Sequence, residues 1–243
     1  MNYKEWFFIS EKKWNNAFSF NIRENNKIYV PSLICINNFN EIQLQDDKNK
    51  IAFEDFWFDD NLSTNFWLKN FYRINWKNKD IILFDNHNHA FYFWYEARQA
   101  WIIKDWSTLI HIDEHADTRD NNKHLMKPDS LDLDKVFDFT NNILNVWDYI
   151  IPAKQEGIIW DIIQVRNTSN LENYLNIKDN LSWDIILNLD LDFFQPDLDF
   201  IDYELKKKVV LDAAEKASII TVSTSPFFIN QELAIKVFKD IFK

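Results

Sequence analysis

Three short segments concentrate the side chains able to hold a cation or move a proton. They are Asp85-Asn-His87-Asn-His89, His111-Ile-Asp113-Glu114-His115-Ala-Asp117-Thr-Arg119 and Asp190-Leu-Asp192-Phe-Phe-Gln195-Pro196. In the second, Asp113, His115 and Asp117 occupy alternate positions, and in an extended chain alternate side chains point the same way. Three ligand-type groups can thus converge without a special fold to gather them. Burying two carboxylates and an imidazole together costs on the order of several kcal/mol unless something compensates, and a bound cation is the most direct compensation. A hydrogen-bonded polar strand end is the alternative.

One histidine of the first segment with Asp113, His115, Asp117, Asp190 and Asp192 gives two imidazoles and four carboxylates, or five with Asp85. A donor set so rich in hard oxygens suits Mn²⁺ better than a thiolate or all-histidine set would, with Zn²⁺, Fe²⁺ and Co²⁺ left open. So many acids exceed what one ion accommodates, whereas two ions roughly 3.5–4 Å apart and bridged by carboxylates balance the charge. Of the histidines, His87, His89, His111, His115 and His124, none lies later in the chain. A barrel amidohydrolase, which His87-x-His89 alone suggests, would therefore lack its later ligands.

The elements that must position these groups are short apolar runs separated by helical stretches. Strands are predicted over 81–84, 108–112, 158–165, 185–189 and 219–222, and helices over 89–103, 131–151, 203–217 and 231–242, with Asp202 and Asn230 as N-caps. Alternation of this kind implies a parallel sheet covered on both faces, a three-layer αβα arrangement. Open parallel sheets hold ligands at the carboxyl ends of their strands, and three of the predicted strands run directly into the three segments. Residues 1–76 read differently, as a β-rich, aromatic-rich elaboration packed on a core of residues 77–243 within one domain. There, residues 16–23 alternate as a strand, Glu24-Asn25-Asn26 reads as a turn, and 27–36 continues as strand. Aromatic segments such as 56–60 and 65–67 either pack on the core or line a groove.

Composition removes several function classes. The net charge of -11 disfavours a nucleic-acid or anionic-membrane partner and favours cationic substrates, though ordinary solubility also accounts for it. Gly157 is the single glycine, which argues against phosphate cradles and dinucleotide fingerprints and leaves left-handed turns to the many asparagines. Cys35 is alone, no signal-like segment opens the chain and no apolar run is long enough to span a bilayer, so a cytoplasmic protein is expected. With 22 Phe, 11 Trp and 8 Tyr, aromatic rings must fill much of the core. Nothing in the sequence specifies an oligomeric state.

Asp113-x-His115-x-Asp117 resembles the Asp-x-His-x-Asp motif of arginases and agmatinases, and Asp190-x-Asp192-x-x-Gln195-Pro196 resembles their Asp-x-Asp-x-x-Asp-Pro. The wording around His87 and His115 is similar to the divergent arginase-like group that includes peptide arginases, which turn arginine side chains of ribosomally made peptides into ornithine. The resemblance covers roughly residues 80–228. It implies an arginase/deacetylase-like fold and two Mn²⁺ ions, with His87 and Asp117 on one, His115 and Asp192 on the other, and Asp113 and Asp190 bridging. It further implies attack of a hydroxide on the guanidinium carbon, oriented by Asp117, with His124 as proton shuttle, urea as product and an arginine-containing precursor peptide as partner. His89 would support the first ligand from behind, and His111 would be a core histidine one step deeper than Asp113.

Two positions depart from the family. Gln195 replaces the last acid of the third motif, at a position that binds no metal in the family. Ser223-Thr-Ser-Pro226 falls where arginases carry a Glu-x-Asn-Pro element whose glutamate holds the guanidinium, leaving Glu114, Asp197 and Asp199 as candidate anchors. The competing readings are a deacetylase-like amide hydrolase with one zinc, and a binding module whose working surface is the aromatic N-terminal part.

Overall fold

Strong apolar runs become strands here and polar stretches rich in Asn and Asp become turns, as the computed structural model of residues 2–13, 15, 17, 20–22, 26–56, 61–66, 68–181 and 184–243 shows. Strands β1 (Phe7–Ile9) and β2 (Ile28–Val30) pair antiparallel, and β3 (Leu33–Ile36) follows after a break at Pro31. The expected single strand over 27–36 is therefore two, because proline cannot donate to a ladder. The expected strand over 16–23 lies partly outside the described residues; Asn15, Ala17 and residues 20–22 form turns. Strands β4 (Phe53–Phe56) and β5 (Leu62–Asn65) make a second antiparallel pair, and residues 57–60 and Trp67 lie outside the described residues.

From β6 (Phe71–Trp76) and β7 (Lys79–Phe84) onward, strands alternate with helices: α1 (Ala90–Gln99), β8 (Ser107–Ile112), α2 (Leu133–Asp138), α3 (Ile150–Glu156), β9 (Ile159–Val165) and α4 (Thr168–Ile177). They continue as β10 (Ile185–Asp190), α5 (Tyr203–Lys216), β11 (Ile219–Ser223) and α6 (Gln231–Phe242). The chain is an α/β protein with a seven-stranded sheet in the order β3-β6-β7-β11-β10-β8-β9. Neighbours from β7 to β9 are parallel, and β6 runs antiparallel to β7 with β3 parallel to β6. The sheet thus continues across residue 77, where the composition changes.

Asp202 and Asn230 cap α5 and α6 by accepting from Leu205 N and Leu233 N. The expected helix over 131–151 is broken instead into α2, a π-turn over Phe139–Ile143 and α3. Thr140 Oγ1 bonds Val136 O, Asn141 Nδ2 bonds Phe137 O and Asp148 accepts from Asn145 N, so side chains compete there with the helical ladder. Left-handed residues among those described include Lys77, Trp101, Trp106, Asp117, Ser225 and Phe227 besides Asn78 and Asn122, which corrects the expectation that asparagine takes these positions. Gly157 ends α3 at φ 97°, with Trp106 against the face where a Cβ would stand. Aromatic rings fill much of the interior beside many isoleucines and leucines: Phe91, Phe93, Trp94 and Tyr95 of α1 are buried, and Phe93 stacks on Phe84 at 5.7 Å.

Candidate metal centre

Register brings the three segments level. Phe84 of β7 pairs with Ser223 of β11, Ser223 with Asp190 of β10, and Leu189 with Ile112 of β8. Asp85, Asp113 and Asp190 therefore leave the same edge of the sheet, at the carboxyl ends of neighbouring strands. Beyond β7 a single 3-10 turn, His87–His89, leads into α1 and buries both imidazoles. Beyond β8 the chain turns at once: Asp113 Oδ1 accepts from His115 N, Asp117 adopts φ 49°, and Arg166 Nε and Gln164 Nε2 hold the carbonyls of Glu114 and Ala116. A left-handed aspartate costs roughly 1–2 kcal/mol, a strain that recurs where a side chain must be aimed. Beyond β10, Asp190 Oδ1 caps a 3-10 turn by accepting from Asp192 N at 3.0 Å, which turns both carboxylates to the same side.

His87 Nδ1 faces Asp113 Oδ2 at 3.1 Å, Asp190 Oδ2 at 3.1 Å and Asp117 Oδ2 at 3.2 Å. None of these contacts has hydrogen-bond geometry, so Nδ1 and Asp113 Oδ2 are buried polar atoms lacking partners. On the other side of Asp113, His115 Nδ1 lies 3.5 Å from its Oδ1 and 3.0 Å from Asp192 Oδ2. Asp113 thus stands between two groups of donors, one oxygen toward each. Donor atoms of His87, His111 and Asp113, and of Asp113, His115 and Asp192, lie within 4.8 Å of one another and could hold a metal ion. Asp190 reaches the first group through Oδ2 alone, its Oδ1 being taken by the cap.

The electrostatics suit a cation. Burial opposes a charge on His87, but Asp190, Asp113 and Asp117 outweigh it and hold its pKa well above the ordinary value. The same balance pushes His115 up to about 12 through Asp113 and Asp192. Burial pushes Asp113 up, but the neighbouring imidazoles of His115, His87 and His111 outweigh it and hold the carboxyl below the usual range. The other acids rise: Asp117 to about 7, from burial and then the charge of Asp113; Asp190 from the same two causes; and Asp192, from burial and then Asp190. A cation resolves these conflicts together, so the residues present fit a metal ion.

These groups line a cavity of about 420 Å³ with Asp117, Asp190, His87 and His115 at its polar end. Phe53, Val146, Trp147, Pro226 and Phe228 supply apolar walls, and Arg119, exposed, also lines it. Phe53 packs on Phe227 and Phe228 at 5.2 and 5.9 Å, so one aromatic from the N-terminal part reaches the cavity. Sequence patterns give no sign of these walls, which come from three separate segments.

The remaining candidates divide. Glu114 and Asp197 line an adjoining depression that shares His115 and Phe228 with the cavity, and Glu114 Oε2 accepts from Gln195 Nε2 at 3.2 Å. Asp199 is exposed and lines neither space, and His124 is likewise exposed and outside the cavity lining. The chain leaves β8 in tight turns that keep Asp117 inward and release residues 119–124 to the surface. Ser223 Oγ donates to Asp85 O at 2.6 Å and Ser225 N to the same carbonyl at 3.1 Å, so this segment braces the end of β7. His89 turns away, with Nδ1 2.7 Å from Tyr3 Oη. No helix among the described residues is long and apolar enough to cross a membrane. Neither the protein-family models nor the curated proteins compared with this chain give a match.

Proposed function

We propose that this chain is a two-manganese hydrolase with an arginase/deacetylase-like three-layer fold, acting in the cytoplasm on arginine side chains within a precursor peptide to give ornithine and urea. The observation that carries the reading is the buried Asp113 carboxylate, shared between His87 with Asp117 and Asp190 on one side and His115 with Asp192 on the other. His87 and Asp117 would hold one ion and His115 and Asp192 the other, with Asp113 and Asp190 between them. Such a pair supplies a water acidic enough to attack at neutral pH.

The rest falls to the protein. Phe53, Val146, Trp147 and Phe228 suit the aliphatic stem of an arginine side chain, and the acids at the polar end attract its guanidinium. Asp117, which lines the cavity, would help orient the attacking group beside the ion it holds. Arginine peptides incubated with the manganese-loaded protein should yield urea and peptidyl-ornithine, detected by mass. No product from any arginine peptide at full metal occupancy would overturn the proposal. One observation favours a second reading, a deacetylase-like amide hydrolase: Ser223 occupies the position of the guanidinium-holding glutamate and is committed to Asp85 O. One zinc per chain, with release of acetate from acetylated peptides, would favour it.

A further inference from the structure

Beneath the cluster, Asn188 of β10 is wholly buried at 0% exposure, and every side of its amide is in use. Oδ1 lies 3.0 Å from His87 Nε2 and 2.9 Å from Thr221 Oγ1, while Nδ2 lies 3.0 Å from His111 Nδ1 and 2.8 Å from Tyr149 Oη. The sheet creates this junction, because Asn188 is in register with Thr221 of β11 and with His111 of β8. Side chains at one level of adjacent strands project to the same face.

An amide has unlike ends: its oxygen only accepts and its nitrogen only donates. Its orientation is supported from outside, since Trp94 Nε1 can only donate and does so to Thr221 Oγ1 at 3.2 Å. That hydroxyl has one proton for two acceptors, Asn188 Oδ1 at 2.9 Å and Leu187 O at 3.2 Å, and the shorter contact is to the amide oxygen. His87 therefore carries a proton on Nε2, and Nδ1, the atom facing three carboxylates, is the nitrogen that would give up its proton to a cation. His111 must offer a lone pair at Nδ1, so its proton sits on Nε2, 3.3 Å from Asp113 Oδ2. The reversed amide would set a lone pair of His111 against that carboxylate and leave a proton on His87 Nδ1 in the way of an ion.

We infer that Asn188 is a positioning residue that imposes matched tautomers on two buried imidazoles, leaving His87 Nδ1 as the nitrogen for a metal and turning the N–H of His111 toward the shared carboxylate of Asp113, 3.3 Å away. Its consequence for the ion rests on the reading above, whereas the tautomer of His111 does not.

The test is the imidazole ¹⁵N spectrum of the labelled full chain, recorded metal-free and with zinc, a diamagnetic probe. His111 should show a protonated Nε2 and a bare Nδ1 in both states, and a proton on Nδ1 in place of Nε2 would overturn the inference. In Asn188→Asp the new carboxylate accepts from both rings, so His111 should gain a proton on Nδ1; an unchanged His111 pattern would refute the role. Asn188→Leu should weaken zinc and manganese binding by roughly 10–100-fold, the usual cost of losing a partner behind a metal ligand. Should that variant not fold, the aspartate spectrum still decides. A wild-type protein that binds no metal yet shows the expected His111 tautomer would sink the hydrolase reading and leave this one standing.

Discussion

Replacing Asp117 by Asn is expected to stabilise the cation-free protein while weakening its response to manganese. Burial, and then the charge of Asp113, raise this carboxyl from 3.8 to about 7. A raised carboxyl contributes stability that is fully present below its unfolded pKa of about 4 and is lost as pH rises through about 7, since at higher pH the folded chain must hold a charge it disfavours. At about 1.4 kcal/mol per tenfold change in proton affinity, the ceiling on that loss is about 4 kcal/mol. Asp190 and Asp192 compete for the same protons, so a gain of about 2 kcal/mol at pH 8, vanishing below pH 4, is the working expectation. Asparagine matches the shape of the side chain and tolerates φ 49°, so no new strain opposes the gain. Urea denaturation of both proteins in chelator at pH 5 and pH 8, repeated with manganese, measures it; for a chain of this size about 2 kcal/mol corresponds to roughly 4–8 °C in Tm. A variant less stable than wild type at pH 8 in chelator, or one stabilised by manganese as strongly as wild type, would refute the reasoning.

Two further outcomes follow from buried and exposed histidines. His89 is driven by burial down to about 3, so its contribution is present above the unfolded value of 6.5 and lost as pH falls toward 3. Wild type should lose about 2 kcal/mol relative to His89→Gln between pH 6.5 and 5, and parallel stability curves would refute this. His124 is exposed and outside the cavity lining, so His124→Ala should leave kcat/KM nearly unchanged; a loss on the order of 100-fold, typical of a removed acid or base, would instead mark it as the shuttle.

Strands were legible in the sequence where burial on both faces demands an unbroken apolar run, as in 81–84, 185–189 and 219–222, and the caps Asp202 and Asn230 fixed two helix starts within a residue. Helix α4 was not, because it buries only Leu171 and Tyr174 and leaves no clear stripe. Its one signal was Asn167, whose side chain accepts from Asn170 N. Pro31 was a readable break that an apolar run on both sides concealed. Strand pairing lies beyond single-sequence patterns, and so does the membership of β3 and β6 in the main sheet: residues 33–36 and 71–76 meet only through a register that neither segment specifies alone.

The site illustrates the same boundary. Alternation rightly gathered Asp113, His115 and Asp117, yet the strand ends at Ile112, and the turn at Asp113 with the left-handed Asp117 brings them together rather than an extended chain. Residue type singled out the candidate ligands because acids and imidazoles at strand ends have few other uses. What lies behind them could not be identified so. Asn188 stands two residues before Asp190 and His111 two before Asp113, so period 2 places each on the face of its own motif. Only the pairing of β10 with β8 shows that one touches the other. Substituting this amide alters two imidazoles at once, so the metal response of Asp117→Asn and the His111 tautomer in Asn188→Asp probe one connected network from opposite ends. If both behave as expected, the donor chemistry of the site is set by the sheet as much as by the loops above it.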